Sequence, residues 1–132
     1  MKKVILTVDD SNEIRGIVKY YLENDGYEVL EAINAFQTFK AVSNNKKIDL
    51  ILLDVMLPGT DGHEIARKLK EDKNTQNIPI IMLTSKGDKN DVVEGVVAGA
   101  DDYIIKPFKK DTLLERVKRI LVKCEERGGE RS

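Results

Sequence analysis

Tryptophan is absent, cysteine occurs once, proline occurs three times, and aromatic residues make up only 5% of the chain. A lone thiol, Cys124, cannot close an internal disulfide, so the fold must be held by packing, which suits a reducing compartment. At its helical spacing Cys124 reads as a small core residue. Neither sign of charge is in excess: 22 basic and 23 acidic side chains leave a net charge of -1. That balance offers no polyanion-binding surface and predicts no direct contact with nucleic acid. Long apolar runs are missing too. The N-terminal "MKKVILTVDD" is cut by Asp9 and Asp10 before it reaches signal-peptide length, and no uncharged run approaches the roughly 18 residues of a membrane span. The expectation is a cytoplasmic protein with no membrane partner.

What is present is a strict alternation. At 132 residues the chain has the length of one domain, long enough to bury about two thirds of its unfolded surface. Five β-rich runs, "KVILTV" (3–8), "YEVLEA" (27–32), "IDLILLD" (48–54), "IPIIMLT" (78–84) and "DDYIIK" (101–106), are each followed by a segment of helical period. A first helix over 12–24 is capped by Ser11 or Asn12, carries Ile14, Ile17, Val18, Tyr21 and Leu22 on one stripe, and stops at Gly26. A second runs over 35–43, with Phe36, Phe39 and Val42 or Lys40 sharing a side. A third starts near Asp61 with Ile65, Ala66 and Leu69 inward. A fourth over 90–98 carries Val92, Val93, Val96 and Val97 and ends at Gly99. The fifth has the clearest stripe: Leu113, Leu114, Val117, Ile120, Leu121 and Cys124. A domain over 1–125 is expected, followed by a polar tail over 126–132 that should fray.

Alternating strands and helices predict an α/β fold with a doubly wound, five-stranded parallel sheet, order 2-1-3-4-5, and five helices. All strand C-termini then lie on one edge. Asp9 and Asp10 follow the first strand, Asp54 ends the third, Thr84 the fourth and Lys106 the fifth. Three carboxylates packed together repel one another unless a cation joins them. A hard divalent ion such as Mg²⁺, with Mn²⁺ as an alternative, suits oxygen ligands and a phosphate. Asp10 and Asp54 are predicted to hold it, with Asp9 nearby through water and a backbone carbonyl of the turn completing the shell. Asp54 is then placed as a nucleophile for a phosphoryl group, Lys106 balances the developing charge, and Thr84 donates a hydrogen bond.

Four ordered motifs, "DD" after the first strand, "LLDVMLPGTDG" around the third, "LTS" after the fourth and "DDYIIKPF" at the fifth, resemble the receiver domain of bacterial response regulators. This flavodoxin-like resemblance spans residues 2 to about 124. It implies that Asp54 takes phosphate from the phosphohistidine of a sensor histidine kinase or histidine phosphotransfer protein. It further implies Asp9 and Asp10 at the metal, Met56 offering its carbonyl, a cis Lys106–Pro107 peptide, and Thr84 and Tyr103 as switch residues. Met56 and Lys86 would tune the lifetime of the phosphate. The implied output is altered binding of a downstream protein target through the face of the fourth helix, fifth strand and fifth helix. The protein is expected as a monomer or a weak phosphorylation-dependent dimer, catalysing only its own phosphorylation and dephosphorylation.

Two domain contexts are compatible with this reading: a stand-alone receiver like the chemotaxis regulators, expected here, or an excised receiver of a larger DNA-binding regulator. A flavin-binding electron carrier of the same winding is the rival from another class, but "DDSNE" puts carboxylates where the flavin phosphate would sit. A phosphatase with an aspartate nucleophile lacks its D-x-D pattern after the first strand. A degenerate receiver is disfavoured because every key position is filled. The lone His63, expected on the surface at the start of the third helix, has no second His or Cys to make a transition-metal site and is read as structural.

Overall fold

The computed structural model describes residues 2–44, 47–85 and 98–131, the last five as backbone only. Five strands, β1 (Val4–Val8), β2 (Glu28–Ala32), β3 (Leu50–Asp54), β6 (Ile80–Thr84) and β7 (Asp102–Ile105), form one parallel sheet in the order β2-β1-β3-β6-β7. This is the predicted winding. Among the described residues it is interrupted only by a two-stranded antiparallel ribbon, β4 (Met56–Leu57) and β5 (Thr60–Asp61), which the sequence patterning does not announce. The helices are α1 (Asn12–Asn24), α2 (Ala35–Ser43), α3 (Gly62–Glu71) and α4 (Lys110–Arg131). The helix expected over 90–98, with Lys86 and the loop "SKGDKN", falls on residues 86–97 and so lies outside the described residues, Ser85 and Ala98 excepted. No described helix is long and apolar enough to cross a membrane.

Strand residues alternate between two cores because successive side chains point to opposite faces. Leu6, Val8, Ile51, Leu53, Ile80 and Met82 pack with Ile65, Ala66 and Leu69 of α3. Ile5, Leu50, Leu52, Ile81, Leu83 and Ile104 pack with Val18 and Leu22 of α1 and with Leu113, Val117, Ile120 and Leu121 of α4. Each such Leu or Ile contributes about 1.5–3 kcal/mol on burial, which is why β3 and β6, buried on both faces, read as unbroken aliphatic runs.

Each of the first three helices starts at a side-chain cap, where an oxygen accepts an otherwise unpaired backbone N–H. Ser11 accepts from Ile14 at 3.2 Å, Asn34 from Gln37 at 2.8 Å and Asp61 from His63 at 2.8 Å. Two expectations need correcting. Ile17 and Phe36 are exposed, the latter at 73%, because the inward faces of α1 and α2 are set by Arg15, Val18 and Leu22 and by Thr38. His63 is 2% exposed, drawn inward with the first turn of α3 and held by Asp61 through its Nδ1 at 2.9 Å. The backbone of α4 is helical through Arg131, and its apolar stripe ends at the half-buried Cys124.

Candidate functional site

Parallel register carries the ends of four strands to one edge. Val8 pairs with Ala32 and Leu53, Asp54 with Leu83, and Thr84 with Ile105, so the residues that follow β1, β3, β6 and β7 converge there. One ligand oxygen from each of Asp9, Asp10 and Asp54 lies within 4.8 Å of the others. Asp9 and Asp54 are buried, while Asp10 is exposed. Lys106, from the end of β7, reaches between the two buried carboxylates. Its Nζ is 2.9 Å from Asp9 Oδ2 and 3.3 Å from Asp54 Oδ1.

The backbone holds this group in place. Asp9 Oδ1 accepts the Ser11 N–H at 2.9 Å, the Asp9 N–H joins β2 through the Ala32 carbonyl at 3.1 Å, and the Met56 N–H donates to Asp54 Oδ1 at 3.3 Å. The start of α3 is brought up against Asp54 by the Gly62 N–H, which donates to the Val55 carbonyl at 2.7 Å. A Cβ at position 62 would lie 2.1 Å from the Asp54 carbonyl oxygen, so only glycine permits the approach. That approach also explains why His63 is inward. Thr84, buried at 2% exposure, accepts the Lys106 N–H on its carbonyl at 2.6 Å and so locks the ends of β6 and β7 together. The Lys106–Pro107 peptide is cis.

Charge explains what the site can do. Burial pushes the Asp54 carboxyl above its ordinary value of 3.8; the Lys106 ammonium opposes this, the Asp9 charge adds to it, and the Met56 N–H again opposes it. The outcome is a net rise, so the ionised form is under-compensated. Among the described residues, three carboxylates and one ammonium leave two negative charges, which is the charge one divalent ion supplies. All-oxygen donors fit Mg²⁺ or Mn²⁺ and do not favour a soft metal.

The edge thus collects Asp9, Asp10, Asp54, Lys106 and Thr84, with Met56 contributing its N–H to Asp54. Tyr103 is not in that group: it lies within β7, half-buried against the α2 and α3 core, with its N–H on Asp102 Oδ1 at 2.8 Å. Lys86 lies outside the described residues. One neighbour escaped the sequence reading. Arg15 is buried on the inward face of α1, and its guanidinium donates to the Asp9 carbonyl at 2.7 Å. The available signal was its spacing: Arg15, Val18 and Leu22 share one helical stripe, and a charged residue on an apolar stripe needs a buried partner.

The chain matches the model of the family described as response regulator receiver domain over residues 5–118. It is 53% identical over 119 residues to the phosphate regulon transcriptional regulatory protein PhoB of Pseudomonas aeruginosa, an alignment that takes in 90% of this chain and 52% of that protein. The chain therefore spans about half the length of the curated relatives it matches. A CheY-like response regulator receiver from Methanospirillum hungatei superposes with a TM-score of 0.88 at 34% identity, covering 96% of this chain and 99% of its own. The receiver domain of a sensor histidine kinase from Pseudomonas aeruginosa, solved with magnesium coordinated in its active-site cleft, gives 0.83 at 29% identity, covering 92% and 98%.

Proposed function

Because the chain belongs to the response regulator receiver family, and so is not a turnover enzyme of the ordinary kind, we propose that it works as a phosphorylation switch with Asp54 as acceptor. The supporting observation is the acidic edge, where three carboxylates cluster and, among the described residues, a single ammonium pairs with two of them. In the transfer, an Asp54 carboxylate oxygen forms a bond to phosphorus as the phosphorus–nitrogen bond of a donor phosphohistidine breaks, and the imidazole keeps the bonding pair. Asp9, Asp10 and Asp54, with the Met56 carbonyl, would hold Mg²⁺, which supplies positive charge to the phosphoryl oxygens. Lys106, already beside both buried carboxylates, keeps its ammonium at the transferred group. Thr84 hydrogen-bonds the bound phosphoryl through its hydroxyl. The donor is a sensor histidine kinase or histidine phosphotransfer protein.

Phosphorylation replaces the Asp54 carboxylate with a more highly charged group. Thr84 and Lys106 are drawn toward it, and because their backbones are bonded to each other the ends of β6 and β7 respond together. Tyr103 changes its packing as the second part of the switch, and the surface of β7 and α4 changes its affinity for a partner. The similarity to a transcriptional regulator about twice as long favours a receiver that controls a DNA-binding unit. The near-complete overlap with a CheY-like receiver supports the second reading, a receiver that signals alone by binding a protein target. Incubation with acetyl phosphate and Mg²⁺, followed by intact mass, tests the acceptor: one phosphoryl group is expected, lost in Asp54→Ala or on chelation. An unchanged wild-type mass would refute it.

A further inference from the structure

The acidic turn has two carboxylates that are held in very different ways. Asp9 is fixed at both side-chain oxygens, by the Ser11 N–H and by Lys106. Asp10 is exposed, and among the described residues no hydrogen bond reaches its carboxylate. Its aim into the cluster must come from the backbone. The peptide that joins Asp9 to Asp10 is a rigid plane, and its oxygen is the acceptor for Arg15 at 2.7 Å. Fixing that oxygen fixes the direction in which Asp10 leaves the turn.

Arg15 is itself over-determined. Its Nε donates to Glu31 Oε1 on β2 at 3.1 Å, and its second terminal nitrogen donates to Asn12 Oδ1. The planar fork therefore spans β1's end, β2 and α1 at once, which no other side chain shape does. Glu31 also cancels the guanidinium's charge, so the contact orients the turn without placing net positive charge beside a cluster that takes a cation. An apolar residue would suit this position on the stripe with Val18 and Leu22 better if packing alone mattered.

We infer that Arg15 is a positioning residue for the metal: it pins the Asp9–Asp10 peptide, aims Asp10 at Asp9 and Asp54, and so sets the affinity for Mg²⁺. This rests on the proposed function, in which the cluster takes Mg²⁺. Calorimetric titration with MgCl₂ tests it on the wild type, Arg15→Met, Arg15→Lys and the double variant Arg15→Met/Glu31→Leu, with urea unfolding of each. Arg15→Met is expected to weaken binding about tenfold, the size usual for residues that orient a ligand. Arg15→Lys is expected to recover less than half of that loss on a logarithmic scale, because one ammonium cannot hold three separated acceptors. The double variant removes the buried pair together, a change proteins commonly tolerate, and is expected to bind as weakly as Arg15→Met whatever its stability; it decides the question if Arg15→Met fails to fold. In an Asp10→Asn background Arg15→Met is expected to change affinity less than twofold. Wild-type affinity in Arg15→Met or in the double variant, or full recovery by Arg15→Lys, would overturn the positioning role alone. A wild type that binds no Mg²⁺ would overturn the metal reading of the site together with it.

Discussion

The two edges of the sheet use the same pair of residue types, aspartate and lysine, to opposite ends. At the N-terminal edge Asp49 accepts the Val4 N–H at 2.8 Å and Asp101 accepts the Ile80 N–H at 2.8 Å, each stitching one strand to its neighbour. Each also has a lysine of its own: Lys47 at 4.0 Å from Asp49 and Lys70 at 3.3 Å from Asp101. At the C-terminal edge three carboxylates cluster and Lys106 pairs with two of them. The first arrangement is balanced and structural. The second keeps a surplus of negative charge that folding alone leaves in place, as sites committed to chemistry do.

Glycines at the two edges give the largest expected contrast. Gly62→Ala drives a methyl into backbone at the site, and an overpacking cost of about 3 kcal/mol is expected in urea unfolding, with loss of phosphoryl labelling. Gly99→Ala, at φ +93°, meets the flexible Lys70 side chain as its nearest neighbour among the described residues and incurs chiefly the left-handed backbone cost of about 1–2 kcal/mol. Labelling should survive. If both variants lose labelling equally, the edges are not separable.

Removing one carboxylate from each edge sharpens the point. Asp101→Ala orphans the Ile80 N–H and leaves the Lys70 ammonium with only the Gln76 and Ile78 carbonyls among the described residues, and about 1–3 kcal/mol of stability should be lost with phosphoryl incorporation unchanged. Asp54→Asn should do the reverse. A carboxyl whose folded-state pKa is raised contributes stability that is complete below its unfolded value and is lost as pH climbs through the folded one. Wild type is therefore expected to lose stability relative to Asp54→Asn as pH rises from 3.8 toward neutrality in the absence of Mg²⁺. Equal pH profiles for the two proteins would mean that Asp54 carries no surplus charge.

Much of this was legible in the chain because it depends on local pattern. Aliphatic runs mark strands buried on both faces, their alternation with helical stripes fixes a parallel winding, and a parallel winding alone places Asp9, Asp10, Asp54, Thr84 and Lys106 on one edge. What stayed hidden depends on close approach between distant segments. Strands of two residues, as in β4 and β5, are too short to show a period. His63 is buried because Gly62 lets α3 touch β3, a contact that no stretch of sequence displays. Phe36 is exposed although aromatic, since periodicity tells which side of a helix turns inward and not how deep it goes. Arg15 broke the apolar stripe, and the breach marked a partner across the turn.

Urea unfolding at neutral pH with and without MgCl₂, on the wild type and on Asp9→Asn, tests the charge surplus most directly. Binding to the folded state alone should stabilise the wild type by about 1.4 kcal/mol at a Mg²⁺ concentration ten times the dissociation constant. Asp9→Asn, with one carboxylate fewer, should gain far less. A wild type that Mg²⁺ does not stabilise, or an Asp9→Asn variant stabilised to the same extent, would contradict the account.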